Sequence, residues 1–353
     1  MNQDRLSYLK KLVETHGGPG YEENVQALFR ERVQNAAQRV ETDLMGSVIA
    51  VCNDKGGPRV MIEGHSDEIA FVVRFVDDSG YLYLAASGGW DEEVLVGQRV
   101  LVHSANGPVH GVFGKKAIHL MEPDERKKKS ELHQLWVDIG ANNKEEALAA
   151  VEVGDSVTMD ACFTPLLNGK AVAKSFDNRS AIFCVSETLR SLKNNLKCTV
   201  YGVAAVQEEI GLRGARAATH AVDPVVGIAI DVTHAMDIPD VSKKKYGDVK
   251  IGAGPVIVRG PNVNPKVFRR LVEVAKKKKI PYQVGASGVG TGTDANVIQI
   301  SRDGVATGLI GIPLRYMHNP CELLALEDLE NCVKLLTAFL ESISPKDDWT
   351  PGT

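Results

Sequence analysis

Five residues spread along this 353-residue chain are of the types that hold metal ions: His65, Asp177, Glu209, Asp231 and His318. Each opens or follows a short apolar segment, and Glu208 stands beside the third. Two imidazoles, a carboxylate able to bridge, two further carboxylates and one spare acid suit a two-metal hydrolytic centre. Each segment also has a plainer reading. A histidine closing a strand is commonly just hydrogen-bonded. Asp177, ahead of an apolar helical run, serves equally well as an N-cap. Adjacent glutamates are usually solvated charge.

The elements that must position these groups favour the metal reading. Arg59 to Gly64 (RVMIEG) reads as a strand that delivers His65-Ser66-Asp67-Glu68 at its end, where α/β sheets place ligands. Tyr201 to Val206 is a second strand and runs straight into Gln207-Glu208-Glu209. An apolar strand that ends in two carboxylates is costly unless something cationic compensates. Val225 to Ile230 is terminated by Asp231, and the apolar segment from Leu309 to Met317 by His318. Asp177 opens a helical stretch carrying Ala181, Ile182, Val185 and Leu189. Four strand ends bearing metal-capable side chains point together to one metal site.

The same segments resemble the M42 metallo-aminopeptidases over nearly the whole chain. The resemblance is carried, in order, by GGPGYEENV (17–25), HSDEIAF (65–71), GGWDEEVLVGQRV (88–100), KSFDNRSA around Asp177, VQEEIGLRGA (206–215), IDVTHAMDIP (230–239), GTGTDANVIQ (290–299) and RYMHNPCE (315–322). QEEIGLRGA and RYMHNP are specific; DNR or HSDE alone carries little. The resemblance implies one divalent ion on His65, Asp177 and Asp231 and a second on Asp177, Glu209 and His318, with Asp177 bridging. Zinc is the first expectation, and a mixed oxygen and imidazole shell also accepts cobalt or manganese. Glu208 matches the family's general base, which takes a proton from the water between the ions and later gives it to the leaving amine. Asp67 is expected to accept the other imidazole N–H of His65 and fix its orientation. The implied activity is removal of N-terminal residues from short peptides, and the implied assembly is a dimer that builds a closed dodecamer. Two departures stand out: Ser66 where the family often has Met, and Glu63, an acid close to the site.

Other enzyme and non-enzyme readings share these residues. A metal-dependent deacylase or amidohydrolase acting on acylated amino acids would use the same ions. A non-catalytic assembly protein could keep the metals as staples, although a free acid beside a ligand has no use there. Some relatives carry an endoglucanase label, but glycosidases work with two carboxylates, and a metal site offers no natural route to that chemistry.

The organisation expected from pattern is a mixed-sheet α/β metallopeptidase domain with a small β-barrel-like domain inserted. The catalytic domain comprises residues 1–69 and 165–353; residues 70–164, rich in short strands and Gly, Asn and Asp turns, form the insert. The insert is too short-stranded to be required by the metal site. Its sheet edges need covering, and a second copy of the chain is one way to cover them. The last helix is marked by Leu326, Leu329, Val333, Leu336 and Leu340, and the DDWTPGT tail after it is expected to fray.

Composition excludes several classes. A net charge of −4 suggests neither a nucleic-acid nor a membrane partner. The basic runs Arg126 to Lys129 and Lys276 to Lys279 read as solvated helix ends or loops, whereas Lys243 to Lys245 either rim the active site or are plain surface. The six cysteines lack metal-ligand spacing and read as reduced core residues. No apolar run reaches spanning length and the N-terminus lacks a signal-peptide stretch, so the cytoplasm is the default location. The glycine-rich segment Gly285 to Asn296 lacks a phosphate-loop ending. Small residues there suit close backbone approach beside a substrate, which makes Thr293 and Asp294 candidates for the pocket.

Overall fold

Runs of Val, Ile and Ala that stay apolar on both faces build the middle of an eight-stranded mixed sheet in the computed structural model, which describes residues 1–193 and 195–352. The strand order is Arg39–Thr42, Val48–Cys52, Thr199–Ala205, Arg59–His65, Val226–His234, Ala306–Leu314, Val256–Arg259 and Gln283–Ala286. The four central strands are mutually parallel, and antiparallel pairs connect them to the edges. Parallel strands need cover on both sides, which explains their lack of polar alternation. In Arg59–His65, Val60 and Ile62 join the core under the helices Gln3–Glu14, Glu23–Val33, Phe176–Ser191, Pro265–Lys278 and Leu326–Ser342, while Met61 joins the core under Arg213–Val222 and Ala295–Gln299.

A second unit closes on itself. Strands Ala70–Val76, Leu82–Ser87, Trp136–Asp138, Gly107–Gly114, Arg99–Ser104 and Ser156–Met159 form a closed barrel around its own core, which includes Phe71, Leu82 and Phe113. The expected α/β sheet and small barrel are thus both present. Closure pairs the barrel strands with one another and removes the free edges that a second copy was expected to cover. Any self-association must use other surfaces of the barrel.

Three further expectations need correcting. The strand carrying Asp231 does not stop there: it pairs with Ala306–Leu314 as far as His234 opposite Leu314, while its pairing with Arg59–His65 ends at Ala229 opposite Glu63. Asp231 therefore lies inside the strand, just past the point where one neighbour has left. The tail is docked at Trp349 rather than frayed from Asp347 onward: its ring packs near Phe339 at 6.3 Å between tilted ring centroids and lies under the Arg270 guanidinium, and its carbonyl accepts from Asn264 Nδ2 at 2.8 Å. All six cysteines are free, but Cys162 and Cys321 are exposed rather than in the core. Among the described residues no helix is long and apolar enough to cross a membrane.

One glycine sets how closely the helix behind Asp177 approaches the strand bearing His65. A Cβ at Gly64 would lie 2.3 Å from the Ala181 Cβ, and the helix Phe176–Ser191 is too well buried to withdraw. Gly64→Ala should cost about 1–3 kcal/mol by overpacking. Urea unfolding checks this, and an unchanged midpoint would show that the helix yields.

Candidate metal centre

The central strands bring the candidate residues to one end of the sheet. His65 ends its strand in register with Ala205, and Ser66 N–H donates to the Ala205 carbonyl at 2.7 Å, locking the two chain exits together. Glu208 and Glu209 follow within the turn after Ala205, and Asp231 comes from the next strand over. Asp177 lies at the start of the helix Phe176–Ser191, but Ser175 occupies the N-cap position and Asp177 departs from helical φ and ψ. Its side chain is not a cap. His318 comes from the loop after Ala306–Leu314. Ser175, Gln207, Tyr316 and His318 all have φ between 53° and 60°. Left-handed backbone at non-glycine residues costs about 1–3 kcal/mol each and persists only where the surroundings over-determine it.

Asp177 is the hub. Its Oδ1 is 3.2 Å from His65 Nε2 and its Oδ2 is 3.4 Å from His318 Nε2, so its two oxygens face two different imidazoles. His65 Nε2 also lies 3.7 Å from Glu208 Oε2 and 3.9 Å from Asp231 Oδ1, and His318 Nε2 lies 3.5 Å from Glu209 Oε1. Two sets of donor atoms converge within 4.8 Å of one another: His65, Asp177 and Glu209, and His65, Glu208 and Asp231. This grouping overlaps at His65, whereas the resemblance expects overlap at Asp177 and leaves Glu208 off the ions. His318 falls in neither set, although it adjoins Asp177 and Glu209.

Electrostatics report an excess of negative charge. Burial would lower the His65 pKa, yet Glu208, Asp177 and Asp67 hold it well above the ordinary value. Asp177, Glu209 and then burial, which opposes them, leave His318 raised to about 11. Burial raises Glu208 to about 9; His65 opposes this, while Asp294, Glu209 and Asp177 add to it. Burial likewise pushes Asp231 well above the carboxylate range. The buried cations near the site, Lys174 and Arg179, are paired with Glu68 instead. A donor set of oxygens and imidazole nitrogens, with Asp177 Oδ1 buried and lacking a hydrogen-bond partner, fits one or more divalent cations.

Asp67 does more than expected. Its Oδ1 is 3.3 Å from His65 Nδ1, and its two oxygens accept the Glu208 and Glu209 backbone N–H groups at 3.0 Å each. One carboxylate thus orients an imidazole and the turn bearing both glutamates. Glu322 plays the matching part and was missed: it accepts from Asp177 N at 2.9 Å and His318 N at 3.0 Å. The available signal was its place four residues after His318. Glu22 was also missed; its Oε1 accepts from Gly20 N and Gln207 N and fixes the approach to Glu208.

A cavity of about 430 Å³ opens beside the cluster, with Val258, Tyr246, Thr293 and Met317 in its wall. Asp294 does not line it; its carboxyl is buried behind the site near Glu63, where burial raises Glu63 to about 8 and Asp294 well above the ordinary range. Lys245 lies over the Tyr246 ring at 4.7 Å, which puts the Lys243 to Lys245 run at the cavity's edge. Larger clefts, of about 680 Å³ around Arg32 and 830 Å³ around Trp349, include none of these metal-capable residues. The barrel is nearer than expected. A Cβ at Gly88 would meet Glu209 Oε2 at 3.4 Å, and one at Gly89 would meet His318 Nδ1 at 3.3 Å. The insert therefore walls the site.

The family model for M42 glutamyl aminopeptidase matches residues 46–335. Among curated proteins, the Pyrococcus furiosus lysyl aminopeptidase is 40% identical over 347 residues, covering 97% of this chain and 98% of the relative. Among solved structures, a TET aminopeptidase from a marine sediment archaeon of the Thaumarchaeota superposes with a TM-score of 0.92 at 36% identity, covering 97% of both chains. A Pyrococcus horikoshii TET1 peptidase, described as able to assemble into a tetrahedron or a large octahedral shell, superposes with a TM-score of 0.86 at 30% identity, covering 96% of this chain and all of the other. The chain belongs to the M42 family of aminopeptidases, hydrolases of the peptide bond.

Proposed function

We propose that this chain is a two-metal aminopeptidase that removes N-terminal residues from short peptides. The observation that carries the reading is Asp177 presenting one oxygen to His65 and the other to His318, the arrangement a bridging carboxylate needs. His65 and Asp231 would complete one cation site, and Glu209 and His318 the other, with zinc first and cobalt or manganese next. Bound there, divalent cations would polarise the scissile carbonyl and make water acidic. Asp67 and Glu322 hold the backbone of Glu208, Glu209, Asp177 and His318, so the donor atoms stay converged. Glu208 keeps its carboxyl free to take the proton of the attacking water and hand it to the leaving amine. Residues 1–69 and 165–353 then form the catalytic unit and residues 70–164 a dimerisation domain.

Aminoacyl chromogenic substrates and short peptides, run beside their N-acetylated forms with and without a chelator, test the activity. Chelator-sensitive release of unblocked N-terminal residues is expected, and cleavage of the acetylated forms alone would replace the aminopeptidase by a deacylase.

Glu208→Gln should keep its metal and lose about a hundred- to ten-thousand-fold in turnover. Metal content and rate are read on one preparation; wild-type rate in the loaded variant would remove Glu208 from proton transfer.

Asp177→Ala should lose both ions, and His318→Ala chiefly one, as elemental analysis would show. Because bound metal stabilises only the folded state, the first variant should also lose about 3 kcal/mol of metal-dependent stability at roughly a hundredfold excess over Kd. Two ions per chain in Asp177→Ala would refute the bridge.

Likeness to a shell-forming peptidase supports self-association to dimers and a closed dodecamer. Light scattering after size exclusion should give a mass near twelve times 38.2 kDa. Folded proteins should be spared while peptides are trimmed. A monomer fully active on peptides would sink the shell.

A further inference from the structure

The cavity beside the cluster has a wall of one chemical character. Outside Asp177, Glu208, Glu209 and Asp231, no Lys, Arg, Asp or Glu lines it among the described residues. Its floor is Val232, Val256, Val258 and Leu309, all buried side chains on the neighbouring strands Val226–His234, Ala306–Leu314 and Val256–Arg259. Met236 and Met317 flank it, and thioethers adapt to varied apolar shapes. The charged residues next to them in sequence, Asp237 and Arg315, are paired with each other at 3.1 and 2.7 Å and do not line the cavity. Ser287, Thr291 and Thr293 add only neutral polar groups. Three histidines line it: His65 and His318 belong to the cluster, and His234 follows Asp231 on the same strand.

We infer that this cavity receives the side chain of the substrate's N-terminal residue and selects neutral apolar side chains, of the leucine and methionine class, over lysine, arginine, glutamate and aspartate. The inference rests on the aminopeptidase reading above. Selection follows from desolvation. An ammonium or carboxylate pushed against four buried aliphatic side chains loses its water and finds no counter-charge among them, because the acids that line the cavity all lie at the cluster end, where Asp177, Glu209 and Asp231 would face the cations and Glu208 the attacking water. An aliphatic side chain gains from the same surface. Lysyl preference would require an acid in this wall away from the cluster and glutamyl preference a base, and neither lines it there; Lys245 lies over the outer Tyr246 ring at the edge and is not part of the floor.

Gly292 offers a clean way to change the wall's charge. It lines the cavity, its φ is not left-handed, and a Cβ there meets nothing within 4 Å, so a side chain can start from this position without a clash at its first carbon. The experiment measures kcat/KM of the metal-loaded enzyme on Leu-, Met-, Lys-, Arg- and Glu-initiated peptides, for wild type, Gly292→Asp and Gly292→Lys. Wild type should favour Leu and Met over the charged residues by at least about tenfold. Gly292→Asp should raise the Lys-to-Leu ratio, and Gly292→Lys the Glu-to-Leu ratio, each by about tenfold or more. Thermal-shift titration with free L-leucine, L-lysine and L-glutamate reads the pocket without turnover and should show the same order. Wild-type preference for a Lys- or Glu-initiated peptide would overturn the selectivity and leave the aminopeptidase standing. Folded Gly292 variants with unchanged ratios would overturn the placement of the side chain in this cavity. Failure to cut any unblocked peptide would overturn the parent reading, and this one with it.

Discussion

Buried negative charge without enough cations is the constraint around which this structure is arranged. Asp67, Asp177, Glu208 and Asp231 are all buried, Glu209 adjoins them, and among the described residues the positive groups within ion-pair distance of this cluster are His65 and His318. Desolvating carboxylates is expensive, and two imidazoles cannot offset five of them. The supports deepen the imbalance. Glu322 and Asp67 are themselves buried acids, and each accepts two backbone N–H groups from the segments bearing the donors. Burial relieves part of this charge by raising the Glu208 and Asp231 carboxyls above their ordinary range, and divalent cations at the donor atoms would relieve the rest, which would couple metal loading to folding.

The sheet delivers this concentration of charge because parallel strands end together. The register that places Ala205 beside His65 sets the height of the Glu208–Glu209 turn relative to the imidazole, and Gln26 reinforces it by donating to both Ser66 Oγ and the Ala204 carbonyl. A one-residue slip would reverse every inward side chain of Arg59–His65, so the aliphatic pattern of Val60, Met61 and Ile62 specifies the geometry of the site as well as the core.

Strand-end residues were legible in the sequence because their cue is local. An apolar run followed by His65, or by Glu208 and Glu209, signals itself within ten residues. Asp177 was ambiguous between ligand and cap, since its φ and ψ are set by distant partners such as Glu322, 145 positions away. Glu322 and Glu22 were silent for the same reason: their acceptor roles exist only after the loops meet. Asp294 sits one residue from a lining position, but the short helix Ala295–Gln299 turns its carboxyl inward. The tail reads as polar and terminal, yet Trp349 finds Asn264, Arg270 and Phe339 in the fold. Turn-rich spacing marked a separate β unit, but closure into a barrel depends on pairings such as Val102 with Val157 that no local pattern encodes.

That barrel leaves the sheet immediately after the segment His65-Ser66-Asp67-Glu68, so its mount and the metal site share the same few residues. Trp90 Nε1 donates to the Ala70 carbonyl at 3.0 Å and stacks on Phe71, which holds the Gly88–Gly89 turn against Glu209 and His318. Tyr21 reaches from the other side to the Gly154 carbonyl at 2.6 Å, and His16 stacks on His103 at 3.5 Å. Glu68, the last acid of the segment, is clamped by Lys174, just ahead of the helix Phe176–Ser191, and by Arg179 inside it, the two lying on either side of Asp177 in sequence. Displacing the barrel would therefore shift His65 from one end of this clamp and Asp177 from the other. The insertion point therefore binds the two units mechanically, because Glu68 is tied both to the chain entering the barrel and to the segment that carries Asp177.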